Sequence, residues 1–298
     1  MFIGVATLFS SMTKMNFSKT PYITVQDHSV SKEVFHLVMD EELQLLKTEP
    51  MPLLEKLPLY YESDDYISHT DGKRSVFEKL YHFVKRRAIQ NKLTMLSKWY
   101  PLKGGCLLDI GAGTGDFLSE AKQQGWQING IEPNEKAKQI AIEKGVSFSG
   151  TIEELPDAFA DVITMWHVLE HVPNLTEHIK QLHRVLQPDG TLFIAVPNYN
   201  SFDAIYYKEH WAAYDVPRHL WHFSKTAIRK IFEKENLYVQ AIQPMVWDSY
   251  YVSLLSEKYK TGRMNFIKAF WVGWLSNRKA KAQTEYSSHI YILKKQQN

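Results

Sequence analysis

Short apolar runs of strand length alternate with helical patterns through the middle of the chain. Seven such runs are candidate strands: Cys106–Ile110, Gln127–Ile131, Val146–Phe148, Asp161–Trp166, Thr191–Val196, Leu237–Ile242 and His289–Leu293. Three segments with helical spacing lie between the first five runs: Asp116–Gln124, Asn134–Lys144 and Leu175–Leu186. Strands joined by crossover helices pair in parallel, and helices cover both faces of their sheet. The pattern therefore predicts an α/β fold with a seven-stranded, mainly parallel sheet.

A long amphipathic helix is predicted ahead of this sheet, from Ser75 to Trp99. Apolar residues recur at helical spacing along it: Phe77, Leu80, Phe83, Val84, Ala88, Leu93 and Leu96. The preceding segment, His28–Asp71, is rich in acids and tyrosines and contains three prolines, so we interpret it as an ordered extension or lid. We accordingly divide the chain into a helical N-terminal extension at 1–100, a core at 101–243, and a helical insertion followed by the last strand at 244–298.

Composition and charge narrow the class of protein. Lys and Arg number 35 against 33 Asp and Glu, and the net charge of +2 is too small to indicate a nucleic-acid partner. The single cysteine, Cys106, excludes an internal disulfide and a cysteine-based zinc cluster, which fits a reducing compartment. The apolar stretch Met1–Ser11 lacks a basic region and a cleavage pattern, and no apolar run is long enough to span a bilayer. We therefore expect a cytoplasmic protein, with a peripheral membrane location as the alternative.

The most informative stretch is a glycine-rich turn at Leu107–Phe117, with the sequence LLDIGAGTGDF. A predicted strand leads into it and a helix starts in it, so backbone N–H groups meet where glycines let a ligand approach the main chain. We expect a ligand to contact the turn and the first helical residue: Gly111, Ala112, Gly113, Gly115 and Asp116. The third glycine comes two residues after the second, whereas the dinucleotide fingerprint places it three residues on. The sequence G-x-x-x-x-G-K-[ST] does not occur, which excludes a P-loop.

This compact G-x-G-x-G turn resembles motif I of class I S-adenosylmethionine-dependent methyltransferases, and the resemblance implies a Rossmann-like fold that binds S-adenosylmethionine. About twenty residues further on, Glu132 and Pro133 follow the next strand, where a carboxylate can accept hydrogen bonds from both ribose hydroxyls. The alternative is that Glu132 only favours the start of the following helix. The loops after the third and fourth strands fall at the same sheet edge and should flank the adenine and the methionine of the cofactor. They contribute Thr151, Ile152, Met165, Trp166 and His167.

Four ordered motifs between residues 104 and 200 extend the resemblance to the broad group that includes the ubiquinone-biosynthesis O-methyltransferases. Further on, Trp211, Asp215–His219 and Phe223–Ser224 are similar to a W…D-x-P-x-H…F-S pattern in one branch of that group. The resemblance implies methyl transfer to a small-molecule or lipid-linked acceptor, and we favour oxygen as the acceptor atom. An N-P-P-Y-type signature is absent after the fourth strand, which argues against methylation of DNA.

Two histidines are candidates for a catalytic base. His171 follows the fourth strand and His219 lies in the later pattern, and a neutral imidazole can take the proton that an acceptor hydroxyl loses. For each, the alternative is a histidine that fixes its own loop, while Asp215 and Arg218 have the alternative of pairing with each other. In the ubiquinone-type enzymes the loop after the fourth strand resembles E-x-x-E-H and is thought to hold a divalent metal. His167 replaces the first of those carboxylates here, so we predict no metal site.

A tyrosine-rich run at residues 60–69 is a candidate lid over the cofactor, because aromatic rings attract a sulfonium cation. The residues expected to contact the cofactor or the acceptor from the lid side are Tyr61, Tyr66, His69 and Trp211. A surface loop anchored by its tyrosines is the alternative. Some relatives carry a pair of cysteines just upstream, but Asp40–Glu42 has none, so no zinc ribbon is expected.

The segment Arg263–Lys281 is predicted to form a basic amphipathic helix. Its apolar residues fall at helical spacing: Phe266, Ile267, Phe270, Trp271, Trp274 and Leu275. Such a helix either rests on a membrane surface and carries the active site to a lipid-linked acceptor, or packs on its own domain. Two further functions stay open at this point: a nicotinamide-dependent oxidoreductase, and an S-adenosylmethionine-binding protein without catalysis.

Overall fold

The computed structural model describes residues 15–61, 76–101 and 104–296, with the side chains of the first helix from Arg86 onward. These residues form ten strands: β1 Phe17–Gln26, β2 Val34–Asp40, β3 Leu45–Glu49, β4 Cys106–Ile110, β5 Gln127–Ile131, β6 Ala160–Trp166, β7 Leu186–Pro197, β8 Trp221–Phe223, β9 Leu237–Pro244 and β10 Ser288–Lys295. They also form eight α-helices: α1 Val76–Trp99, α2 Asp116–Gln123, α3 Glu135–Glu143, α4 Leu175–Val185, α5 Phe202–Tyr207, α6 Lys225–Glu233, α7 Asp248–Thr261 and α8 Phe266–Gln283. Short 3-10 helices lie at Leu57–Tyr61, Leu169–His171, Lys208–His210 and Ala212–Tyr214.

Six strands form the central sheet, in the order β5-β4-β6-β7-β10-β9. β4 is parallel to β5 and β6, and β6 is parallel to β7, whereas β10 runs antiparallel to β7 and β9. This is the predicted Rossmann-like, mainly parallel architecture, with two helices inserted before the last strand. The predicted third strand is reduced to a single bridge between Phe148 and Gly130. Because Gly130 exchanges only two backbone hydrogen bonds with Ser147 and Ser149, the sheet has six strands and a bridge instead of seven strands.

Apolar side chains pack on both faces of the central sheet. On one face, Leu93 and Leu96 of α1 are fully buried in a cluster with Leu107 of β4 and Phe117 of α2. On the other face, Ile179 of α4 is buried among side chains of the same strands. These side chains alternate along each strand with those of the first face, because successive residues point to opposite sides of a sheet. Burial of one leucine stabilises the fold by about 2 kcal/mol. The helical pattern predicted around residues 75–99 is therefore confirmed, and it holds α1 to the sheet.

The N-terminal extension is a β-sheet up to residue 49, which corrects our prediction of a helical extension. β1, β2 and β3 form an antiparallel sheet, and β8 pairs with β3 as the fourth strand. In β2, Phe35, Leu37 and Met39 are buried, and this two-residue period is the signature of a strand. Our sequence analysis interpreted this segment as part of an ordered extension or lid and predicted no strand in it. In the described part of the extension α1 is the only α-helix, as predicted, and a short 3-10 helix lies at Leu57–Tyr61.

The N-terminal sheet holds the segment before β8 against the edge of the central sheet. The hydroxyl of Thr48 on β3 donates to the carbonyl of His219 at 2.7 Å, and the Thr48 amide donates to the carbonyl of Leu220 at 3.0 Å. The Leu220 amide in turn donates to the carbonyl of Glu170, in the loop after β6, at 2.8 Å. Two segments that are distant in sequence therefore meet where β6 ends.

Helices α7 and α8 pack against each other through small side chains. A Cβ atom at Gly273 of α8 would lie 3.0 Å from the carbonyl oxygen of Ser249 on α7. The inner face of α8 is made of Ala269, Val272, Gly273, Ser276 and Ala280, all of them buried. Among the described helices, none combines the length and the apolar character needed to cross a membrane.

A buried carboxylate joins this insertion to the rest of the fold. Asp203 on α5 is fully buried and accepts hydrogen bonds from Trp211 Nε1 at 2.8 Å, Ser276 Oγ at 2.6 Å and Ser287 Oγ at 2.7 Å. Three donors compensate the loss of water around the charge. Asp203 thereby ties α8 and the start of β10 to the segment that follows α5.

Candidate active site

The predicted glycine turn joins the end of β4 to the start of α2. Gly111, Gly113 and Gly115 all have positive φ angles, of 75°, 53° and 73°. At Gly111 a Cβ atom would lie 2.3 Å from Val168 Cγ2, so packing against the loop after β6 requires glycine there. At Gly113 a Cβ atom would meet nothing within 4 Å. The middle of the turn therefore faces open space, where a ligand can reach the main chain.

Glu132, the predicted ribose-binding acid, contacts this turn directly. Its Oε2 accepts a hydrogen bond from the Gly113 amide at 2.8 Å, and its Oε1 accepts one from the Asn134 amide at 2.9 Å. The structure thus brings together the two features on which the cofactor prediction depended. Pro133 lies beside them in the connection between β5 and α3, and Asn134 caps α3 by accepting from the Ala137 amide.

Other predicted cofactor contacts are less accessible than we expected. Ile152 is 4% exposed and Met165 is fully buried, and both belong to the main apolar cluster beneath the sheet edge. Thr151 is exposed. The carboxylate of Asp116 accepts hydrogen bonds from Lys144 Nζ at 2.8 Å and from the Thr114 hydroxyl at 3.0 Å. A carboxylate in the first turn stabilises the start of α2. Ala112 of the turn is itself buried at 9% exposure.

Trp166 lies at the end of β6 with a charged neighbour. The ammonium of Lys92 on α1 is 4.1 Å from the centre of the indole, and Phe117 contacts the ring edge-on at 5.6 Å. The indole Nε1 is buried and has no hydrogen-bond partner among the described residues. Leaving such a buried donor unsatisfied is energetically costly, which makes it an unusual feature of this sheet edge.

A buried acid lies under the same edge. Asp109 of β4 is 2% exposed, and the hydroxyl of Thr164 donates to its carboxylate at 2.5 Å. Burial raises the pKa of Asp109, and the hydrogen bond from Thr164 and the nearby charge of Lys92 partly oppose that rise. Burial likewise lowers the pKa of Lys92. Burial therefore disfavours the charged form of both groups, and each charge partly stabilises the other.

His167 lies between two carboxylates. Its Nε2 is 3.1 Å from Asp248 Oδ2 at the start of α7, and its Nδ1 is 3.4 Å from Glu170 Oε1. Burial alone would lower the pKa of His167, but the hydrogen bond with Asp248 and the charges of Asp248 and Glu170 raise it to about 10. The imidazole is consequently a cation at neutral pH.

Glu170, His171 and His219 form a cluster beside His167. Glu170 is fully buried, and neither of its carboxylate oxygens has a hydrogen-bond partner among the described residues. The Nε2 atom of His219 lies 4.0 Å from Glu170 Oε1, and the rings of His171 and His219 meet edge-on at 4.6 Å. The structure therefore brings together the two histidines that we predicted as catalytic candidates.

Backbone carbonyls determine which nitrogen of each ring carries the proton. His219 Nδ1 lies 2.9 Å from the carbonyl of Ala213, and His171 Nδ1 lies 2.9 Å from the carbonyl of Arg218. A carbonyl can only accept, so Nδ1 donates in both rings, and the neutral form of each ring carries its lone pair on Nε2. Burial lowers the pKa of His219 well below its usual value, which keeps this ring neutral.

The same cluster has the composition of a metal site. One ligand atom each from Glu170, His171 and His219 lie within 4.8 Å of one another. Two imidazoles and a carboxylate suit zinc or a similar transition metal better than magnesium, and the bonds from Nδ1 to carbonyls are typical of metal-binding histidines. Our expectation that no metal binds was based on the loop after β6 alone, and His219 enters the cluster from a different part of the chain.

The structure places two of the four residues that we predicted on the lid side, and it places them differently. The hydroxyl of Tyr61 lies 2.9 Å from His171 Nδ1, so the N-terminal extension does reach the histidine cluster. Trp211 is 2% exposed and its Nε1 donates to Asp203, which makes Trp211 a core residue and corrects our assignment to the lid. Tyr66 and His69 lie outside the described residues. Asp215 and Arg218 form an ion pair, as one of our two interpretations held.

Four residues at this edge were missing from our predicted site: Lys92, Asp109, Glu170 and Asp248. Asp109 and Glu170 had a sequence signal, because the first directly precedes the glycine turn and the second lies in the H-x-x-E-H loop. Lys92 and Asp248 had no sequence signal, since each lies on a helix outside the motifs and reaches the edge of the sheet only through packing.

The comparison with known families identifies this arrangement. A sequence model of the methyltransferase domain family matches residues 80–242, which is more than half of the chain. The chain therefore belongs to this methyltransferase family. The predicted resemblance to class I S-adenosylmethionine-dependent methyltransferases is confirmed, and S-adenosylmethionine is the cofactor of the family.

Particular relatives are similar over a third of the chain. The ubiquinone biosynthesis O-methyltransferase of Pseudomonas paraeruginosa is 36% identical over 111 residues, which cover 33% of this chain and 47% of that protein. The enzyme of the same name from Haemophilus ducreyi is 40% identical over 113 residues, with the same coverage of 33% and 47%. Phosphoethanolamine N-methyltransferase 2 of Haemonchus contortus has a solved structure with a TM-score of 0.49 and 18% identity, covering 70% of this chain and 53% of that one. The chain thus spans about half the length of the curated relatives it matches.

Proposed function

We propose that the protein is an S-adenosylmethionine-dependent methyltransferase that transfers a methyl group to an oxygen atom of a small-molecule or lipid-linked acceptor. The observation that carries the proposal is the contact between the Gly113 amide and the Glu132 carboxylate. It joins the family's turn to an acid that directly follows the neighbouring strand, at the sheet edge where ligands of open α/β sheets bind.

In this proposal Glu132 holds the ribose. Each carboxylate oxygen accepts one amide and keeps lone pairs for the two ribose hydroxyls. Because Ile152 and Met165 are buried, they support the adenine pocket from beneath and do not line it. Trp166 and His167 border the methionine part of the cofactor, where the indole Nε1 offers a free donor.

The acceptor side is assigned to the histidine cluster. S-adenosylmethionine would supply the methyl group for the acceptor oxygen, and its leaving group would be a neutral thioether that needs no acid. His171 is the proposed base, since its ring is half-buried and therefore reachable, and its Nε2 takes the proton of the hydroxyl. Glu170 stabilises the imidazolium that results, and His219 orients the ring edge-on. Positioning of the two reactants supplies much of the remaining acceleration.

The cluster also fits a divalent cation, because the Glu170 carboxylate is buried without a hydrogen-bond partner among the described residues. Glu170, His171 and His219 would hold such an ion, which would supply polarisation of the acceptor oxygen; the Nε2 lone pair of His171 would then be a ligand and not the base. His219 is neutral at neutral pH, as a ligand must be.

Oxygen is favoured as the acceptor atom because a hydroxyl needs a base and the cluster offers one. Two relatives bear the name O-methyltransferase, which supports the same choice. We further propose a cytoplasmic protein whose helix α8 contacts membranes when the acceptor is lipid-linked.

Calorimetric titration with S-adenosylmethionine and with NAD tests the function. We expect micromolar binding of the first and none of the second. Tight binding of NAD alone would identify an oxidoreductase and overturn the proposal. Incubation of cell extract with radiolabelled cofactor should then label a small or organic-soluble molecule with the wild type and not with His171→Ala. Tight cofactor binding without any labelled product would identify a binding protein that lacks catalysis.

A further inference from the structure

The outer face of α7 and α8, together with the two residues before α7, exposes large apolar side chains that proteins in solution normally bury. Sequence periodicity left open whether this stripe packs on its own domain, and the structure turns it outward. The exposed members, with their exposed fractions, are Val246 39%, Trp247 70%, Tyr251 62%, Phe266 65%, Ile267 76%, Phe270 55%, Trp271 54% and Leu275 36%. We call this set the aromatic face. An apolar face of this kind marks an interaction surface.

The aromatic face is continuous across both helices. Trp247 contacts Tyr250 at 6.0 Å between ring centres, and Tyr250 stacks on Phe270 of the other helix at 5.5 Å. Phe270 contacts Trp271 at 6.2 Å, and Trp271 contacts Trp274 at 5.5 Å. The rings therefore form one platform. Because small buried residues hold the helices together from behind, the platform does not depend on a partner for its shape.

Positive charge borders the aromatic face without any acid in the same stretch. Between Lys258 and Gln283 the sequence has seven basic residues and no Asp or Glu. Arg263, Arg278 and Lys281 are exposed, and the guanidinium of Arg278 lies 5.3 Å from the centre of the Trp274 ring. Lys268 is paired with the buried Glu257 at 3.3 Å and does not add to the outward charge. Aromatic rings flanked by outward Lys and Arg match the interface of a bilayer with anionic lipids.

The aromatic face begins next to the candidate active site. Asp248, which lies 3.1 Å from His167, directly follows Trp247, the most exposed ring of the face. A bilayer seated on the platform would therefore lie beside the carboxyl edge of the central sheet. The start of the aromatic face is thus one residue away from a side chain that contacts the candidate site.

We propose that the aromatic face of α7 and α8 docks on an anionic lipid bilayer and that the acceptor is an amphiphile drawn from it. The route of the acceptor rests on the function proposed above, whereas the docking itself does not. The face is too aromatic to be explained by phosphate contacts alone, and its charge distinguishes a lipid surface from a neutral apolar partner.

Vesicle co-sedimentation tests the docking. We expect the full chain to sediment with vesicles of phosphatidylcholine and phosphatidylglycerol, and more weakly with phosphatidylcholine alone. The double variant Ile267→Ser with Trp271→Ser should lower the partition coefficient by roughly tenfold or more. Arg278→Glu with Lys281→Glu should lower it by about tenfold on anionic vesicles only. Ile142→Ser on α3, an exposed apolar residue away from the aromatic face, is the matched control and should bind as the wild type does.

Three further measurements show whether a loss of vesicle binding reflects the docking, the folding or the proposed function. Urea unfolding of every variant separates loss of docking from loss of folding, and these exposed substitutions should leave the midpoint unchanged. Cofactor titration on the same preparations separates the two proposals: vesicle binding without S-adenosylmethionine binding overturns the function and keeps the docking. No sedimentation by a chain that binds the cofactor overturns the docking. A dimer on gel filtration that the same serine variants dissociate would also overturn the docking, because the aromatic face would then be the interface with a second copy of the chain.

Discussion

Asp248, the first residue of helix α7, lies 3.1 Å from the imidazole of His167 in the loop that follows β6. This pair joins the inserted helices to the edge of the sheet where the glycine turn lies. The other nitrogen of His167 faces the buried Glu170, so one cation is shared by two acids from different elements. The electrostatics of the candidate site therefore depend on the insertion.

The charge of His167 should make stability depend on pH. Its pKa is about 10 in the folded protein, against an ordinary value of about 6.5 in an unfolded chain. A raised pKa contributes stability that is complete below about pH 6.5 and is lost as the pH rises towards about 10. We predict that His167→Gln is less stable than the wild type at pH 6, and that the difference in unfolding free energy shrinks by about pH 9.5. Asp248→Asn should shift this loss to lower pH, and a difference that stays constant in urea titrations would contradict the assignment.

Removal of the Glu132 carboxylate should weaken cofactor binding without unfolding the protein. Two hydrogen bonds from ribose hydroxyls to a charged acceptor are lost, so Glu132→Ala should raise the Kd for S-adenosylmethionine by roughly tenfold to a thousandfold. Calorimetry measures the change. Glu135→Ala, three residues later at the exposed start of α3, is the control and should bind as the wild type does. Equal affinities for both variants would place the ribose elsewhere.

Two glycines of the turn should respond in different ways to the same substitution. Gly111→Ala puts a Cβ atom 2.3 Å from Val168 Cγ2 and should cost about 2 kcal/mol or more of stability. Val168→Ala in that background should recover part of the loss, as a double-mutant cycle in urea would show. Gly113→Ala meets no atom within 4 Å and should cost only about 1 kcal/mol. Its main effect should be on the cofactor Kd, and unchanged binding would mean that the open space at Gly113 is not the binding site.

Loss of the Asp203 carboxylate should destabilise the fold strongly. Asp203→Ala leaves three buried donors without an acceptor and should lower the unfolding free energy by about 3 kcal/mol or more. Urea denaturation measures this change, with Glu143→Ala at the exposed end of α3 as a control that shifts it by less than about 0.5 kcal/mol. A small loss for Asp203→Ala would show that water replaces the carboxylate.

The histidine cluster should affect turnover and not cofactor affinity. With an acceptor identified by labelling, His171→Ala should lower kcat by roughly a hundredfold to ten-thousandfold. The Kd for S-adenosylmethionine should stay within a factor of about two. His183→Ala on α4 is the matched control. Equal loss of rate and of cofactor affinity would mean that His171 only shapes the pocket.

Local patterns allowed most of the central fold to be predicted. The strands β4 and β5 were predicted to the residue, and α2, α3 and α4 to within one residue at each end, because periodicity and turn residues agree there. The contact of Gly113 with Glu132 followed from the order of strands in such sheets. The N-terminal strands were missed because β2 alternates for only a few residues among acids and prolines.

Long-range contacts could not be predicted from one sequence. Nothing in the motifs indicates that His219 meets Glu170, or that Lys92 reaches Trp166, since each pairing depends on how separate segments pack. Periodicity likewise identified the apolar stripe of α8. It did not show that smaller residues would form the inner face and leave Ile267 and Trp271 outside.

The pairing of β8 with β3 means that residues 17–49 and a strand from within the matched family region share a single sheet. A fragment cut at the start of the matched family region would lose β1, β2 and β3, and Trp221–Phe223 would become an unprotected edge. The carbonyl of His219 would also lose the hydroxyl of Thr48. We therefore predict that the methyltransferase region of this chain does not fold as an independent module, and that its expression alone gives aggregated protein.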